Sequence, residues 1–565
     1  MILDAKHLTP GATLECDICI VGSGAAGVTL ACELSKSGRD VILLEAGGEK
    51  LRGETQGPYK GEVADPAHHG ALHQYRHRRL GGTTAVWGGR CAPLAEIDFE
   101  RRAHVPYSGW PLSKRDLDPF YERAHAYCQC GEYEYDGRTA LAAAGEWIRG
   151  FQSDDVDAHG IWRFSPPTHF GRVYRQRLAG ACNARVLLHA NCLRLRATED
   201  GSAVQSVEAA SAPTRTFRVA ARQVVLACGG LEVARLLLAS DHAHPNGIGN
   251  DYGLVGRFYI SHMTGDAGEV EIPAAGPALW DYEQTRDGVY SRRSLTISAA
   301  AQRREQLLNF RAMFSHPPVA DPRHRSGVLS AMYLMKRALA HRIPPEYSRA
   351  LSGMRALEHV AAHCRNIGGD AVSLARFSLQ WTRKRLLASR KLPSVAIPNP
   401  SGIYTLHFDA EQRPNRDSRV TLCDRRDAFG IPRLRVDWRF TSEDASSVAR
   451  SCRLIGDELE RTGAGRLLFD PDAVAEQVAE CAAVGSHHIG TARMGNSARE
   501  GVVDSDCRVY GTRNLFVASS AVFPTSGFAN PTLTIVALAV RLADHLNRAP
   551  SRSPEGMETG VVHAH

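Results

Sequence analysis

The sequence predicts an α/β fold, and two observations support this prediction. Near the N-terminus an apolar run, a glycine-rich turn, an amphipathic stretch and a second apolar run follow one another, as in a βαβ unit. The chain has 565 residues, of which 43% are hydrophobic and 23% charged, with 51 Gly and 28 Pro in no fixed period. This is the composition of an ordinary globular protein, so disordered and fibrous classes are excluded. The length allows about two to four domains.

The βαβ unit carries a nucleotide-binding pattern. Gly22, Gly24 and Gly27 form G-x-G-x-x-G between the strand DICIV and the helical stretch VTLACELSKSG. The first glycine makes the turn, the second lets the backbone approach a pyrophosphate, and the third packs the helix against the strand. Glu45 closes the second strand, about 20 residues on, where an acidic side chain accepts hydrogen bonds from a ribose. Together these features predict a dinucleotide site.

A second glycine-rich stretch, LGGTTAVWGGR at 80–90, follows this unit. It has too many glycines for a helix and too many interruptions for a strand, so it predicts a loop built for close backbone approach. Two glycine pairs around hydroxyls and a tryptophan suit an extended, flat ligand. A purely structural Ω-loop is the alternative.

The middle of the chain is less regular. Residues 185–230 predict short strands that end in VVLACGG, and LEVARLLLAS then predicts a helix. Between 270 and 480, RVTLCD and RLRVDWRF indicate strands, and helical patterns lie near 344–392 and 443–462. The residues from Arg548 onward are polar without periodicity, which predicts a disordered tail over 548–565.

The C-terminal part combines two histidines with a helix start. SHHIGTARMG contains His487 and His488, and ANPTLTIVALAVRLADHL follows about 40 residues later. This second segment predicts a helix with Asn530 as N-cap and Pro531 at its first position. Such a terminus has free N–H groups and partial positive charge, so it can hold a phosphate or a reduced, anionic flavin ring. Capping alone would also explain Asn530.

Several classes of site and location are disfavoured. The net charge of +7 is too small for this length to indicate nucleic-acid binding. The 14 cysteines are scattered, and Cys16-x-x-Cys19 lacks a second pair at zinc spacing, so we expect no metal. No run of 18 uncharged apolar residues occurs, so the sequence predicts no membrane-spanning helix. The first residues show no export signal, so the expected location is the cytoplasm.

Taken together, these residues resemble the glucose-methanol-choline (GMC) family of FAD-dependent oxidoreductases. The resemblance covers residues 15–99, residues 185–262 ending in GLVGRFYISH, and residues 400–547 with EQRPNRDSRVTL, HHIGTARMG and ANPT. It is closest to the branch of pyranose and glycoside oxidases and bacterial sugar dehydrogenases. It implies a discontinuous Rossmann-like FAD-binding domain at 1–100, 181–265 and 480–547. A substrate domain with a mixed sheet, at 101–180 and 266–479, would lie over the flavin.

The resemblance also implies the site residues. His487 matches the catalytic histidine of the family, because HxxGTxRM counts back to it, and Asn530 matches the second active-site position. His488 is its neighbour, and only one of the two should face the flavin. The residues implied to bind the cofactor are Gly22, Gly24, Ala26, Gly27, Glu45, Gly82, Thr83, Thr84, Trp87, Gly88, Gly89, Cys192, Ala227, Ser519, Pro531 and Thr532.

Three positions depart from the family pattern. Val86 stands where some members have the histidine that binds FAD covalently, so we expect noncovalent FAD. Trp87 stands where many members have asparagine, and an aromatic face replaces that flavin contact. Ser519 replaces a frequent acidic residue near the ribityl chain.

The implied reaction is oxidation of a CH–OH group of a sugar, glycoside or aminocyclitol. His487 would take the hydroxyl proton, for which a neutral imidazole is suited, while hydride passes to flavin N5. The alternatives are a sterol or other alcohol as substrate, a hydroxynitrile lyase that uses FAD structurally, and a flavoprotein subunit that passes electrons to a haem partner. The electron acceptor could be a quinone, a redox protein or O2, and a dehydrogenase is favoured over an oxidase.

The positive charge is concentrated at 321–395, which holds 14 Lys/Arg and 4 Asp/Glu. A helix at 371–391 would place Val372, Ala375, Leu379 and Leu386 on one side and Leu374, Phe377 and Trp381 on the other. Because both sides are apolar, we expect this helix to be packed within the substrate domain. Peripheral contact with a membrane is the alternative.

Overall fold

The computed structural model describes residues 1–142, 145–273, 281–339, 357–394, 397, 402–481, 483 and 485–548. Its helices are α1 Ala25–Leu34, α2 Gly53–Gln56, α3 Glu96–Phe99, α4 Lys114–Cys128, α5 Gly137–Ala140, α6 Phe170–Val173, α7 Arg175–Gly180, α8 Gly230–Ala239, α9 Ala299–Arg304, α10 Gly327–Ala338, α11 Leu357–Gly369, α12 Ala371–Trp381, α13 Ser442–Arg461, α14 Pro471–Ala479 and α15 Thr532–Arg548. A π-helical turn, Thr382–Leu387, continues α12.

The strands are β1 Ile2–Asp4, β2 Thr13–Val21, β3 Val41–Leu44, β4 Glu62–Val63, β5 Arg90–Cys91, β6 Val156–Asp157, β7 Ile161–Phe164, β8 Ala184–Leu188, β9 Asn191–Ala197, β10 Val204–Ala212, β11 Arg215–Leu226, β12 Met263–Glu271, β13 Glu283–Gln284, β14 Tyr290–Arg293, β15 Leu295–Ile297, β16 Phe310–Ser315, β17 Ile403–Ala410, β18 Arg419–Arg426, β19 Pro432–Asp437, β20 Arg466–Leu468 and β21 Leu515–Val517.

An eight-stranded sheet carries the nucleotide-binding pattern. Its order is β1-β8-β3-β2-β11-β10-β9, and β21 pairs with the C-terminal end of β11. The pairs from β1 to β11 and the β11–β21 pair are parallel, whereas β9, β10 and β11 are antiparallel. The carboxyl ends of β2, β3, β11 and β21 therefore meet at one edge, where ligands of open α/β sheets bind. The predicted α/β fold is confirmed.

The predicted βαβ unit is β2–α1–β3, and its glycines act as the spacing indicated. Gly22 has φ +101°, a conformation that side chains rarely adopt, and it turns the chain from β2 toward α1. A Cβ on Gly27 would lie 1.8 Å from the carbonyl oxygen of Gly22, so only glycine lets α1 pack this closely. The helix ends at Leu34, four residues before the predicted end at Gly38.

A six-stranded antiparallel sheet, β20-β12-β17-β16-β15-β6, forms the second large layer. It has its own core with α13, built from Phe310, Phe408, Leu406, Ile455 and Leu459. Two smaller sheets, β13-β14-β7-β5 and β18-β19-β4, complete the fold. The predicted domain boundaries remain a prediction.

The expectation for residues 371–391 is wrong on one side. Leu374 and Phe377 pack against Val328, Leu329 and Ile397, as a core-facing side would. The opposite side, with Val372, Leu379 and Leu386, is exposed to solvent. None of the helices in the described ranges has the length and hydropathy needed to cross a bilayer.

The last helix begins one residue later than predicted. The Ile535 N–H donates to the carbonyl of Pro531 in the first turn of α15, so Pro531 and not Asn530 holds the capping position. This frees the Asn530 side chain for another contact. The predicted disordered tail lies outside the described residues except for Arg548.

Candidate active site

A cavity of about 770 Å³ lies at the carboxyl edge of the eight-stranded sheet and reaches the six-stranded sheet. Its volume is typical of a cofactor site. All but one of the residues predicted to bind cofactor or to act in catalysis line it: Gly22, Gly24, Ala26, Glu45, Gly82, Thr83, Thr84, Trp87, Gly88, Gly89, Cys192, Ala227, His487, Ser519, Asn530, Pro531 and Thr532. Gly27 is the exception, and it shapes the cavity from behind by packing α1 on Gly22.

The walls of the cavity fit a dinucleotide. A Cβ built on Gly24, Gly88 or Gly229 would meet no atom within 4 Å, so each glycine borders open space that a side chain would enter. Gly82 has φ +53°, and its added Cβ would lie 3.1 Å from the Cα of Gly24. The two glycine-rich stretches therefore pack directly against each other at Gly24 and Gly82, and the open space in front of Gly24 is left for a phosphate group.

Glu45 is held at the end of β3 with its carboxylate toward the cavity. The Ser23 hydroxyl donates to Glu45 Oε2 at 2.5 Å, and the Gly47 N–H donates to Oε1 at 2.8 Å. A carboxylate accepts about four hydrogen bonds, so capacity is left for a ribose hydroxyl. These bonds fix the orientation of the side chain.

The loop 80–90 is braced against the segment 165–170. The Trp87 indole N–H donates to the Thr168 carbonyl at 3.0 Å, and Thr84 Oγ1 accepts from the Phe170 N–H at 3.1 Å. A short 3₁₀ turn at Gly82–Ala85 lies within the predicted loop. Val86 is half exposed and offers no nucleophile for a covalent flavin bond.

Two predicted cofactor residues act mainly through local structure. Ser519 Oγ accepts from the Ala521 N–H at 3.3 Å and caps a short 3₁₀ turn. Burial raises the pKa of the Cys192 thiol to about 12, which keeps it neutral beside the cavity. Both side chains are part of the cavity wall and add no charge to it.

Polar groups that sequence reasoning missed lie at the sheet end of the cavity. Arg76 donates to Glu232 at 3.1 Å, and Arg78 donates to the Asn191 side-chain oxygen at 2.8 Å. Both lie over the ring of Tyr59. His77 Nδ1 and Arg78 Nε are buried without a partner among the described residues. Such atoms are costly unless a ligand pairs with them, so they support a polar cofactor here.

His487 and Asn530 meet at the other end of the cavity. The Asn530 amide nitrogen lies 3.1 Å from His487 Nε2. On the other side of the ring, His487 Nδ1 lies 2.8 Å from His262 Nδ1. His262 lies directly before β12 and was not predicted as a site residue, although it ends the block GLVGRFYISH.

These contacts fix which histidine nitrogen carries a proton. His262 Nε2 lies 3.4 Å from the Ser526 carbonyl oxygen, which only accepts, so Nε2 is the protonated nitrogen. The bare His262 Nδ1 then accepts from His487 Nδ1–H. His487 Nε2 is left as a bare acceptor, which receives the Asn530 N–H and faces the cavity.

The electrostatics keep both histidines neutral. Burial, followed by His262 and Arg90, holds the pKa of His487 well below its usual value of 6.5. Burial also lowers the pKa of His262. At neutral pH, therefore, His487 is an unprotonated base.

His488 lies on a different wall. Its ring stacks on Tyr259 with centroids 6.1 Å apart, and burial together with Arg76 lowers its pKa. Both histidines line the cavity, contrary to the expectation that only one faces it, because 487–488 lie outside any strand and need not alternate. Only His487 contacts Asn530.

A polar wall, comprising Arg90, Thr264, His407 and Asp409, lies beside His487 and was also missed. Arg90 Nη1 lies 3.5 Å from Asp409 Oδ2. His407 Nδ1 lies 2.8 Å from Asp266 Oδ1, and His407 Nε2 lies 3.3 Å from the Thr264 hydroxyl. The chain therefore places charged, donor and acceptor groups together next to the proposed base. In the described ranges no His, Cys, Asp or Glu cluster is arranged to hold a metal ion.

Two family models match this chain. Residues 414–539 match the model described as GMC oxidoreductase, and residues 17–248 match the model described as FAD dependent oxidoreductase. The matched ranges contain the glycine-rich unit, His487 and Asn530.

Full-length relatives are distant. The chain is 22% identical to 2-methyl-1,2-propanediol dehydrogenase of Mycolicibacterium austroafricanum, over 94% of this chain and 95% of that protein. It is 26% identical to 6'''-hydroxyparomomycin C oxidase of Streptomyces lividus, over 94% and 92%. The crystal structure of pyridoxine 4-oxidase from Mesorbium loti shares the fold, with TM-score 0.51 and 18% identity, over 95% of this chain and 100% of that one.

Proposed function

The chain belongs to the GMC oxidoreductases, FAD-dependent enzymes that act on alcohol donors, and from this premise we propose that it oxidises a CH–OH group of a sugar, glycoside or aminocyclitol. The observation that carries the substrate class is the polar wall beside His487. The residues that carry the chemistry are His487 and Asn530.

His487 is the proposed proton acceptor. Its Nε2 faces the cavity without a proton, and its depressed pKa keeps it unprotonated at neutral pH. When the Asn530 N–H turns from Nε2 to the substrate oxygen, the single lone pair of Nε2 can accept the substrate hydroxyl. Proton uptake at Nε2 gives an imidazolium whose Nδ1–H already donates to His262. That bond holds the ring while the charge develops.

Asn530 is the proposed orienting residue. Its amide borders the same cavity and contacts the same nitrogen, so it can hydrogen-bond the substrate oxygen next to His487. Bound FAD supplies the acceptor of the hydride that leaves the carbinol carbon. The glycine-rich stretches, Glu45 and Trp87 would hold that cofactor, noncovalently because Val86 lacks a nucleophile.

The polar wall favours a polyhydroxylated substrate over a sterol or long aliphatic alcohol. Asp409 and Arg90 form a loose pair, so each has hydrogen-bonding capacity for a further partner. An apolar substrate would bury these charges without replacing their water, which costs free energy. A substrate with several hydroxyls or an amine would pair with them.

The test is anaerobic reduction of the enzyme-bound flavin by a panel of sugars, glycosides, amino sugars, sterols and simple diols. Bleaching of the visible absorption band of the flavin measures the reduction. We expect reduction by polyhydroxylated compounds, with Asp409→Asn and Arg90→Gln raising the KM for them. Asp155→Asn, which disturbs the Arg304 pair outside the cavity, is the matched control. Reduction by sterols alone, or no bleaching by any alcohol, would refute the proposal.

The electron acceptor and the location are part of the proposal. All 14 cysteines are free thiols, and Cys182 and Cys364 are exposed. Exposed thiols are maintained in a reducing compartment, and an enzyme producing peroxide there would oxidise them. We therefore propose a cytoplasmic dehydrogenase that passes electrons to a quinone or redox protein faster than to O2. Stopped-flow reoxidation of reduced enzyme by benzoquinone and by air compares the two acceptors directly.

A further inference from the structure

The side of α12 and its π-helical extension that faces away from the protein is apolar. Val372, Leu379, Leu386 and Leu387 are 71%, 61%, 57% and 75% exposed. We call these four side chains the outer apolar face. Aliphatic side chains that are more than half exposed and lie in one group are uncommon on a soluble protein and mark a contact surface.

The packing of the helix does not require this face. Leu374 and Phe377 on the opposite side already contact the core of α10, with Val328 and Leu329. The segment is also fixed at its C-terminal end, where Arg390 donates to the carbonyls of Gln129 and Phe164 at 2.8 and 2.7 Å. The helix is thus held in place without any contribution from the outer apolar face.

Cations surround this face, and no acidic residue occurs between 371 and 391. Arg376, Arg383, Lys384 and Lys391 are exposed, and none of them forms an ion pair with a described residue. By the helical period, Arg376 and Arg383 border Val372 and Leu379. Apolar side chains flanked by unpaired guanidinium groups form an amphipathic surface whose polar part is cationic.

The neighbouring helix α10 exposes side chains of the same two kinds. Met335 and Leu339 are 57% and 41% exposed, and Lys336 and Arg337 beside them are also exposed. Two adjacent helices therefore present aliphatic and cationic groups to solvent.

We propose that the outer apolar face binds the surface of an anionic lipid bilayer, with its aliphatic side chains at the level of the acyl-chain boundary and Arg376 and Arg383 on lipid phosphates. This arrangement is that of an interfacial helix. A second copy of the chain fits less well, because its cations would face their own copies. A protein partner also fits less well, because the centre of a protein interface is depleted of charged residues and Arg376 and Arg383 border this face.

Vesicle sedimentation of the intact holoenzyme tests the proposal. We expect sedimentation with vesicles of phosphatidylcholine and phosphatidylglycerol, weak sedimentation with phosphatidylcholine alone, and release by high salt. Arg376→Glu with Arg383→Glu should weaken binding to the anionic vesicles by about tenfold or more, since each cation contributes near a charged surface. Leu379→Ser with Leu386→Ser should weaken binding to a similar degree.

Matched controls keep the result specific. Arg453→Glu reverses an exposed charge on α13, and Val173→Ser removes an exposed aliphatic group elsewhere; both should bind vesicles like the unmodified enzyme. Turnover with a soluble dye should be the same in all variants, because none of these residues lines the cavity.

Two outcomes would overturn the proposal. The first is equal sedimentation of the enzyme with both vesicle types, or with neither. The second is a dimer in analytical ultracentrifugation that Leu379→Ser with Leu386→Ser converts to a monomer while vesicle binding is absent. That result would assign the face to a second copy of the chain.

Discussion

His262 Nδ1 lies 2.8 Å from His487 Nδ1, and this contact leaves His487 Nε2 bare toward the cavity. The proton arrangement of the site therefore depends on a residue that is 225 positions away in the sequence.

Replacing His487 with alanine should leave FAD bound but slow flavin reduction by a factor on the order of 10² or more, because the proton acceptor is lost while the glycine-rich walls are unchanged. Stopped-flow reduction with the best substrate measures the rate. His488→Ala is the comparison, since His488 also lines the cavity but lies against Tyr259. A larger loss in His488→Ala would reverse the assignment.

His262→Phe should slow flavin reduction by about tenfold, because His487 Nδ1–H loses a buried acceptor worth about 1 kcal/mol or more. His262→Gln offers a carbonyl oxygen to the same N–H and should recover part of the rate. The dependence of the rate on pH is the second readout, since removing the neighbouring histidine also removes one cause of the low His487 pKa. If the Phe and Gln variants have the same rate and pH profile, His262 serves packing only.

Asn530→Ala should slow reduction by about 2- to 13-fold, the equivalent of one hydrogen bond of about 0.5–1.5 kcal/mol. It should change the melting temperature little, because the first turn of α15 uses the Pro531 carbonyl and the Asn530 side chain contacts His487 instead. Calorimetry of the holoenzyme checks the second expectation. A clear drop in melting temperature with an unchanged rate would restore the capping role to Asn530.

The rate of flavin reduction should be independent of pH above 6.5 and should fall only at lower pH. His487 has a pKa well below 6.5 in the folded enzyme, so protonation removes the base only in more acidic solution. Stability has the same sign. The unfolded chain binds protons on His487 and His488 below about pH 6.5, whereas the folded chain does not, so stability falls as the pH falls through that range. A rate that already declines from pH 8 to 7 would contradict the low pKa.

Acid precipitation should release the flavin into the supernatant, because Val86 cannot form a covalent bond. Gly24→Val should abolish FAD retention, since its side chain would enter the open space in front of the glycine turn. Gly38→Val is a useful control, because Gly38 also has open space around it but does not line the cavity. Flavin that stays with the precipitated protein would disprove noncovalent binding.

The cofactor side of this cavity could be predicted from sequence because its residues meet local demands. Gly22 and Gly27 are required by a turn and a close helix contact within one βαβ unit, and such demands appear as short motifs. His262, Arg90 and Asp409 come from three distant segments. Arg90 and His262 end the stretches LGGTTAVWGGR and GLVGRFYISH, but neither pattern assigns these residues a role. Only the packing of the two large sheets brings them beside His487.

The basic helix shows a second limit. Its two apolar sides are similar in composition, so the sequence pattern does not decide which one is covered. The answer depends on Val328 and Leu329 of α10, against which Leu374 and Phe377 pack. A tertiary neighbour, and not helical periodicity, determines the exposed side.

The pairing of β21 with β11 joins residues that are roughly 290 positions apart, and His487 and Asn530 lie in the same late part of the chain. At a synthesis rate of about 5–20 residues per second, β21 is synthesised roughly 15–60 s after β11. During that time the C-terminal half of β11 exposes an unpaired edge, which favours aggregation. FAD binding is therefore one of the last steps in the folding of this protein. The yield of folded enzyme in cells should depend on chaperones that bind the unpaired edge of β11.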